Sequence, residues 1–466
     1  MTNAVILAGG QGKRLKSDKP KTLAEVLGKP ILGWIISAFE EAGIENICVV
    51  TGYAGEYIEK WLGGRYETVF QSERLGTGHA VMTAEGFLKR FPGGQTLIFN
   101  GDAPFVDAET IQASLEYHKK NNNAVTVLSA EVDDPYGYGR ILRKKSGITG
   151  IREQKDCSPA EAEIREINSG CFWFETDALL ETLPKLTRNN SQGEYYITDT
   201  IEILLSEGKR ADAYPAKNQD IVLSANDRKG MLMLNDIARK RVIEKHLDNG
   251  VEIVCTDGII ISPDVAIEPG AKILPGCILN GATKIGAGSV IGPNSQLRDT
   301  VVGENTTLNS VVANEATVGN NCSIGPFVQL RPNSIIKDFA HVGDFVEIKN
   351  STIGEGTSVS HLTYIGDSDV GKNVNFGCGT VTSNYDGNIK ARCEIGDNAF
   401  IGCNTNLIAP VKIGNAAYTA AGSTIDKDVP DGALAIARSR QENKEGYAEK
   451  KLARHLEKGK KFIQGE

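Results

Sequence analysis

A glycine-rich string with basic residues lies near the start of the chain. It spans Leu7–Leu15, reads LAGGQGKRL and directly follows a short apolar run. Glycines let backbone N–H groups approach a phosphate chain closely, and the guanidinium of Arg14 adds a forked cation. Lys21 offers a second cation shortly afterwards. The string predicts a phosphate-binding loop whose spacing is neither that of the P-loop nor that of the Rossmann dinucleotide motif.

Two other residues have side chains suited to catalysis or metal binding. Asp102 follows the apolar run Thr96–Phe99, at the carboxyl end of a predicted strand, where α/β sheets place their binding sites. His361 carries an imidazole, the natural general base near neutral pH. Taken singly, such an aspartate is more often a turn or cap residue, and such a histidine more often packs against its neighbours. The motifs around Asp102 and His361 therefore determine whether each residue is predicted to have a functional or a structural role.

The first half of the chain alternates apolar runs with helical patterns. Buried strands are predicted at Ala4–Ala8, Ile47–Val50, Thr96–Phe99 and Ala124–Leu128, and helices at Ile31–Ala42 and Ala108–Asn121. This order is typical of βαβ units, so residues 1–228 are predicted to form an α/β, Rossmann-like domain with a mixed, mostly parallel sheet.

A helix at residues 229–250 is predicted to connect this domain to the next. Its apolar face comprises Leu234, Ile237, Ala238, Val242 and Leu247, and Asn249-Gly250 ends it.

A six-residue repeat dominates the second half of the chain. Apolar residues recur without a gap at Ile261, Ile267, Ile273, Leu279, Ile285, Ile291 and Leu297, and the period resumes from Val318 onward. This spacing predicts a parallel β-helix over residues 251–436, with three hexapeptides per coil and roughly nine coils. Glycine often follows the apolar residue, where a corner needs positive φ or close approach. Gly377–Glu394 breaks the rhythm and is predicted to be an insertion, followed after the last coil by a basic tail at 437–466.

The composition narrows the possible functions. A chain of 466 residues is expected to form two or three domains, and its net charge of -8 does not suggest nucleic-acid binding. The sequence has no apolar stretch near the roughly 20 residues that span a bilayer, so no membrane association is expected. The nine cysteines lack CxxC spacing and are predicted to be buried free thiols of a cytoplasmic protein.

The glycine-rich string resembles the LxxGxGxR signature of sugar-1-phosphate nucleotidyltransferases. Further motifs resemble one subfamily, the bifunctional N-acetylglucosamine-1-phosphate uridyltransferase/glucosamine-1-phosphate N-acetyltransferase, over essentially the whole chain. These motifs are Gln71, Leu75–Ala80, Asn100-Gly101-Asp102, Gly137–Arg140, Glu153, Ile167–Gly170, Gly193–Asp199 and Asn226. The resemblance implies a left-handed β-helix as the second domain.

For the first domain, the resemblance implies attack of N-acetylglucosamine 1-phosphate on the α-phosphate of UTP, with pyrophosphate leaving. Asp102 and Asn226 would hold Mg²⁺, while Arg14 and Lys21 would stabilise the transferring group. The implied nucleotide-binding residues are Leu7, Ala8, Gly9, Gly10, Lys21, Gln71, Gly76 and Thr77, and the implied sugar-phosphate residues are Gly139, Glu153, Asn168, Thr198 and Asn226.

For the second domain, the string Ser360–Asp367 resembles the HLxYxGD motif, in which the histidine is the catalytic base. This implies that His361 deprotonates the amine for acetyl transfer, whereas His341 has a structural role. The implied residues for glucosamine 1-phosphate are Arg331 and Lys349, completed by Tyr364, Asn375 and Asn384, with Tyr385 beside them. Those for acetyl-CoA are Cys378, Asn384, Tyr385, Cys403, Ala421 and Arg438.

Five residues depart from the subfamily pattern. Gly9 replaces alanine, Lys13 replaces threonine, and Asn100 replaces an aromatic residue. Cys378 and Cys403 stand where alanine and serine are common. Gly9 weakens the prediction of base preference, whereas the two cysteines are expected to be tolerated because backbone groups make the contacts there.

Family members form trimers of parallel β-helices and supply bacterial cell-wall synthesis, so a homotrimer acting on small molecules is expected. One alternative is a single-function sugar-1-phosphate nucleotidyltransferase with a non-catalytic β-helix, which His361 and the Asn384-Tyr385 loop argue against. Another is a non-enzymatic assembly scaffold. The retained set Arg14, Lys21, Asp102 and Asn226 argues against it.

Overall fold

The computed structural model describes residues 1–144, 147–190 and 192–457. Contacts divide the chain into two compact units, one of Met1–Lys245 with Ile261–Pro263 and one of His246–Ile260 with the chain from Asp264 onward. The division falls within the long helix Arg228–Asp248. Within the described ranges, no helix combines the length and apolar character needed to cross a membrane. The predicted borders at residues 228, 250 and 436 stay predictions.

The first unit is an α/β domain. Its strands are β1 Thr2–Leu7, β2 Glu25–Val26, β3 Lys29–Pro30, β4 Asn46–Thr51, β5 Glu67–Phe70, β6 Gln95–Asn100, β7 Val125–Glu131, β8 Arg140–Lys144, β9 Gly147–Arg152, β10 Glu166–Glu175 and β11 Ala211–Pro215. Its helices are α1 Ile31–Glu41, α2 Gly55–Leu62, α3 Thr77–Thr83, α4 Glu85–Leu88, α5 Ala108–Lys120, α6 Pro159–Ala162, α7 Thr176–Thr182, α8 Asp199–Ser206 and α9 Arg228–Asp248. Short 3₁₀ helices lie at Lys13–Leu15, Lys21–Leu23, Gln154–Asp156, Leu183–Lys185 and Gln219–Val222.

The central sheet is mixed and mostly parallel, as predicted. Its order is β11-β7-β10-β6-β1-β4-β5, with β8 and β9 attached to β10. Strands β4, β5 and β6 run parallel to β1, whereas β10 runs antiparallel to β6 and β7. The four predicted strands correspond to β1, β4, β6 and β7, and the two predicted helices to α1 and α5.

The sequence explains these elements locally. Ala4, Val5 and Ile6 in β1 are fully buried, as a parallel strand covered on both faces requires. Helix α5 begins where the Asp107 carboxylate accepts a hydrogen bond from the Thr110 amide at 2.7 Å, which satisfies a free N–H group of the first turn. Because β1, β4 and β6 are parallel, their carboxyl ends meet at one edge of the sheet, and the candidate residues follow these ends.

From Glu252 onward the chain forms three flat parallel sheets. The first face contains Glu252–Ile253, Lys272–Ile273, Val290–Ile291, Thr307–Leu308, Ser323–Ile324, His341–Asp344, Ser358–His361, Asn375–Phe376, Phe400–Ile401, Tyr418–Thr419 and Leu434–Ala435. The second contains Ile260–Ile261, Ile278–Asn280, Gln296–Arg298, Val311–Asn314, Val328–Leu330, Glu347–Lys349, Tyr364–Gly366, Val381–Ser383, Asn406–Ile408 and Thr424–Ile425. The third contains Ala266–Ile267, Lys284–Ile285, Val301–Val302, Thr317–Val318, Ile335–Ile336, Thr352–Ile353, Ser368–Val370, Cys393–Ile395 and Val411–Ile413.

The hexapeptide period places its apolar residues inside this β-helix. Ile273 and Ile291 are fully buried and pair between successive coils. Glycine at the corners meets both predicted needs. Gly325 has a φ of 107°, and a Cβ on Gly402 would lie 2.5 Å from the Thr419 carbonyl oxygen. A side chain at either position would be strained or would clash with the next coil.

Two sequence predictions were wrong in detail: the membership of the buried face of α9 and the first residue of the insertion. Leu247, predicted on the buried face of α9, is 46% exposed, whereas Ile243 and His246 are buried there. The insertion begins later than Gly377, since Val381–Ser383 still pairs with the neighbouring coil, and the irregular loop spans residues 384–392.

The cysteines and the tail complete the second unit. Cys277, Cys322 and Cys393 are buried, but Cys403 is exposed, so the prediction of buried thiols was wrong there. In the tail, helix α10 spans Tyr447–Glu457 and buries no residue. The last part of the predicted basic tail, residues 458–466, lies outside the described residues.

Candidate active sites

Two adjoining cavities open at the carboxyl edge of the central sheet. The first has a volume of about 470 Å³ and the second about 370 Å³. Both are lined by Thr77, Asn100, Asp102 and Glu194. The shared wall means that ligands in the two cavities would meet beside Asp102.

A buried lysine occupies this meeting point. The Lys21 ammonium donates to the Asp102 carboxylate at 2.7 Å and to the side-chain oxygen of Asn226 at 2.8 Å. The Lys21 side chain is only 9% exposed, against 36% for that of Asp102. Two hard oxygen donors from distant parts of the chain thus converge on one cation, which is the donor set that Mg²⁺ prefers.

The second cavity gathers most of the predicted nucleotide-binding residues. Its lining includes Leu7, Gly9, Gly10, Lys21, Gln71, Gly76 and Thr77. Ala8 is fully buried and its amide donates to the Val50 carbonyl at 2.8 Å, so this amide is already engaged. Arg14 is exposed and is not among the described residues that line either cavity.

Side-chain hydrogen bonds hold the Gln71 amide in place. Its nitrogen lies 3.3 Å from the Gly76 carbonyl and 3.1 Å from Nδ1 of His79. The His79 ring stacks on Tyr195 at a centroid distance of 6.3 Å. His79 therefore orients a cavity residue.

The first cavity gathers all the predicted sugar-phosphate residues: Gly139, Glu153, Asn168, Thr198 and Asn226. A β-bulge follows Asn168 in β10, and bulges next to a site re-aim the side chains around it. Burial raises the pKa of the Glu153 carboxyl, and the charges of Asp156 and Asp199 raise it further.

Sequence reasoning missed several residues of these cavities. Arg74 lines the second cavity and offers a cation that the motifs did not single out. Tyr138 lines the first, where burial and then the charges of Asp102 and Asp134 raise the pKa of its hydroxyl. Arg74 directly precedes the motif Leu75–Ala80, and Tyr138 lies within the motif Gly137–Arg140. Their position in or beside these motifs was the signal by which the sequence could have identified them as site residues.

In the β-helix, His361 lies in a vertical column at the corner that follows the first face. Its Cα pairs with that of Asp344 on the coil before. The register that pairs Val359 with Phe376 puts Cys378 level with His361 on the coil after. His361 and one predicted acetyl-CoA residue are therefore stacked directly.

The same column continues through the other predicted acetyl-CoA residues. The Gly422 amide donates to the Cys403 carbonyl at 2.8 Å, which stacks Ala421 on Cys403. Asn404 likewise donates to the Cys378 carbonyl at 2.7 Å, which stacks Cys403 on Cys378. We call Asp344, His361, Cys378, Cys403 and Ala421 the corner column. The Arg438 side chain lies past its end, 3.8 Å from where a Cβ on Gly422 would be.

The second face carries a cluster of cations at its far edge. The Arg331 amide donates to the Ile348 carbonyl at 2.8 Å, so Arg331 and Lys349 stack on successive coils. The Arg331 guanidinium contacts Glu347 at 2.9 Å. Lys390, which sequence reasoning missed, joins them, since the nearby Lys349 ammonium lowers the pKa of Lys390. Cations this close repel one another, and a bound anion would relieve that repulsion.

One buried carboxylate organises this edge. Asp367 accepts a hydrogen bond from the Asn384 side chain and lies 3.5 Å from the Lys349 ammonium. Burial alone opposes ionisation of Asp367. Hydrogen bonds from Asn350 and Asn384 and the charge of Lys349 outweigh it and lower the pKa of this carboxyl. The negative charge thus fixes both a predicted sugar-phosphate residue and the start of the insertion loop.

The remaining predicted residues lie around this edge. Tyr364 pairs with Glu347, and its hydroxyl would be 2.4 Å from a Cβ on Gly366. Asn375 is exposed on the first face, and the Tyr385 hydroxyl donates to the Gly387 carbonyl within its own loop. His341 is exposed, so it has no packing role in the interior.

Similarity to known proteins extends over both units. The family model described as Nucleotidyl transferase matches residues 3–222, and that described as Bacterial transferase hexapeptide (six repeats) matches residues 392–427. The protein named Bifunctional protein GlmU of Caldanaerobacter subterraneus subsp. tengcongensis is 48% identical over 450 residues, 96% of this chain and 98% of that protein. The proteins of the same name from Geobacillus sp. (strain WCH70) and Clostridium novyi (strain NT) are 47% and 46% identical, each over 96% of this chain and 97% and 98% of their own length.

The chain therefore joins a nucleotidyltransferase to a hexapeptide-repeat transferase with a left-handed β-helix. It belongs to the family of bifunctional GlmU proteins and is an enzyme with uridyltransferase and glucosamine-1-phosphate acetyltransferase activities. Its chemistry is that of nucleotide sugars, which generally depends on a metal ion, and its substrates are small molecules. The two alternatives considered from the sequence are set aside by this assignment.

Proposed function

We propose that the two cavities of the first unit transfer uridylyl from UTP to N-acetylglucosamine 1-phosphate. The convergence of the Asp102 and Asn226 oxygens on the Lys21 ammonium is the observation that carries this proposal. UTP would bind in the second cavity and the sugar phosphate in the first, so that the attacking phosphate oxygen meets the α-phosphate beside Asp102.

Mg²⁺ fits the donors at this point, because a carboxylate and an amide oxygen leave its other positions to phosphates and water. When bound, it would neutralise charge on the phosphates during the in-line displacement. Lys21 would then turn its ammonium to the α-phosphate or to the leaving pyrophosphate, a short movement within the same cavity. Glu153 and Asn168 would hold the sugar hydroxyl and acetamido groups, and Gln71 the uracil edge.

The second unit would acetylate glucosamine 1-phosphate with acetyl-CoA. Arg331, Lys349 and Lys390 would bind the phosphate at the cationic edge. His361 would take a proton from the amine as nitrogen attacks the thioester carbonyl. The new C–N bond forms, the C–S bond breaks, and CoA leaves as a thiolate that then takes up a proton. The corner column would guide the pantetheine arm past Cys378 and Cys403 toward Ala421.

The active assembly would be a homotrimer. Phe327, Phe345 and Leu362 stack at one corner and are 60%, 58% and 59% exposed. Their backbone φ angles of 58°, 58° and 45° lie in the left-handed region, which is unfavourable for bulky residues. The corner therefore exposes apolar side chains on a strained backbone. A second copy of this chain is the partner that would cover such a ladder beside His361, because an exposed apolar patch marks a surface for association.

A split assay tests the proposal. One reaction contains glucosamine 1-phosphate and acetyl-CoA, with thiol release as the signal. The other contains N-acetylglucosamine 1-phosphate, UTP and Mg²⁺, with pyrophosphate release as the signal. Both should proceed, and chelation of divalent cations should stop only the second. Loss of thiol release on chelation would contradict the assignment of metal to the first unit alone.

A further inference from the structure

A carboxylate lies directly beneath the imidazole of His361. Asp344 and His361 are Cα partners in the parallel ladder of the first face. The amide of Leu362, the next residue, donates to the Asp344 carbonyl at 3.0 Å. The backbone therefore holds one residue above the other.

The side chains are close enough to act on each other. Oδ2 of Asp344 lies 3.7 Å from Nδ1 of His361, and the two side chains are 47% and 58% exposed. This is an ion-pair distance, longer than the roughly 3.2 Å of a direct hydrogen bond. It is Nδ1, rather than Nε2, that faces the carboxylate.

The neighbouring coils carry few other titratable groups on this side. On the coil before, these are His341, which pairs with Ser358 three residues from His361, and Asp344, which pairs with His361 itself. On the coil after, the register puts the thiol of Cys378 level with His361. The strand Ser358–His361 itself has no other titratable side chain. Of these groups, Asp344 is the carboxylate paired with His361.

We propose that Asp344 is a positioning residue for acetyl transfer. Its carboxylate keeps the proton of the neutral imidazole on Nδ1, which leaves Nε2 free to accept the proton of the substrate amine. It also stabilises the imidazolium that forms when that proton arrives, as an acidic partner does in a nucleophile, base and orienter arrangement. The inference rests on the proposed function, in which His361 is the base.

The test is the pH dependence of kcat for acetyl transfer at saturating substrates in Asp344→Asn. The amide keeps the size of the side chain and removes its charge. The plateau should fall about three- to tenfold, since the base is less well oriented. The acid limb should move to lower pH by about half a unit, since the charge that favours protonated imidazole is lost. KM for glucosamine 1-phosphate should stay unchanged, and Asp344→Glu should restore most of the limb position.

Two further variants make the outcome decisive. Glu394→Gln removes a carboxylate of the third face that pairs with Lys412, and it should leave both plateau and limb unchanged. A lowered plateau with an unmoved limb in Asp344→Asn would mean a structural effect and would overturn the inference, as would an unchanged profile. His361→Asn separates the two levels of the argument. If it retains acetyl transfer, the proposed function itself fails, whatever Asp344→Asn does.

Discussion

Lys21 gives the sharpest prediction for the first unit. Its ammonium touches Asp102 and Asn226 at 2.7 and 2.8 Å, and its side chain is 9% exposed. Lys21→Met keeps the length and the apolar stem of the side chain but removes the charge. We expect this variant to lose uridyl transfer while it retains acetyl transfer.

The structure sets the size of both effects. A preorganised donor aimed at developing charge contributes about 100- to 1000-fold to rate, so kcat for pyrophosphate release should fall by that factor. A hydrogen bond to a charged group contributes about 1.5–3 kcal/mol to stability. Because the Asp102 side chain is 36% exposed, water replaces part of the lost contact, and we expect a loss of about 1 kcal/mol without metal.

The assay is a double-mutant cycle of Lys21→Met and Asp102→Asn. Urea unfolding in the absence of metal gives the coupling energy of the pair, and pyrophosphate release gives the catalytic effect. Lys89→Met is the matched control, since Lys89 is 63% exposed and pairs with Glu85 one turn away. Uridyl transfer by Lys21→Met within threefold of the unmodified protein, or a coupling energy of zero, would refute the reasoning.

Three further predictions concern assembly, thiol chemistry and pH. Phe345→Glu places a charge in the exposed apolar corner, so light scattering should report single chains. Acetyl transfer should then fall at least about tenfold, while uridyl transfer persists. An intact trimer would contradict the assignment of this corner to the interface between copies. The exposed Cys403 thiol in the corner column should react with a maleimide, and this reaction should stop acetyl transfer. Acetyl-CoA should protect the thiol. If the maleimide inactivates Cys403→Ala as much as the unmodified protein, the reactive thiol lies elsewhere. Burial and then the charge of Glu202 raise the pKa of Asp199 to about 6, so ionisation costs stability as pH rises from about 4 to 6. Asp199→Asn should therefore raise the free energy of unfolding by about 1 kcal/mol at pH 7, after a discount for partial exposure, and by nothing at pH 3.5; a gain that persists at pH 3.5 would rule out titration as its cause.

The repeat architecture followed from the sequence because its signal is periodic and local. Ile273, Ile291 and their equivalents each occupy one position in six, and burial of that position alone defines a coil. The α/β unit was also predictable, since parallel strands buried on both faces leave continuous apolar runs such as Ala4–Ile6.

Details that depend on tertiary packing were not predictable. Leu247 fits the helical period of α9 but is exposed, because burial at the end of the helix depends on which elements pack there. The exposure of Cys403 depends on the direction of its corner rather than on its neighbours in sequence. These features required the fold as a whole.

The candidate sites also contain residues that the sequence identified and contacts that only the fold determines. Motif resemblance identified Asp102 and Asn226, but their convergence on Lys21 joins positions 81 and 205 residues away from it. Asp344 and Lys390 were missed because their neighbours are fixed by coil length and by the path of the insertion loop. Arg14, in contrast, lies in a clear motif and yet is exposed.

The measurement that tests the central claim most directly assays Asp102→Ala and His361→Ala for both activities. Asp102→Ala should lower uridyl transfer at least about 100-fold and leave acetyl transfer unchanged, because it removes a charged group that faces the phosphates. His361→Ala should lower acetyl transfer about 100- to 10,000-fold and leave uridyl transfer unchanged, because it removes the general base. Loss of both activities in either correctly folded variant, or full acetyl transfer by His361→Ala, would contradict the assignment of one chemistry to each unit.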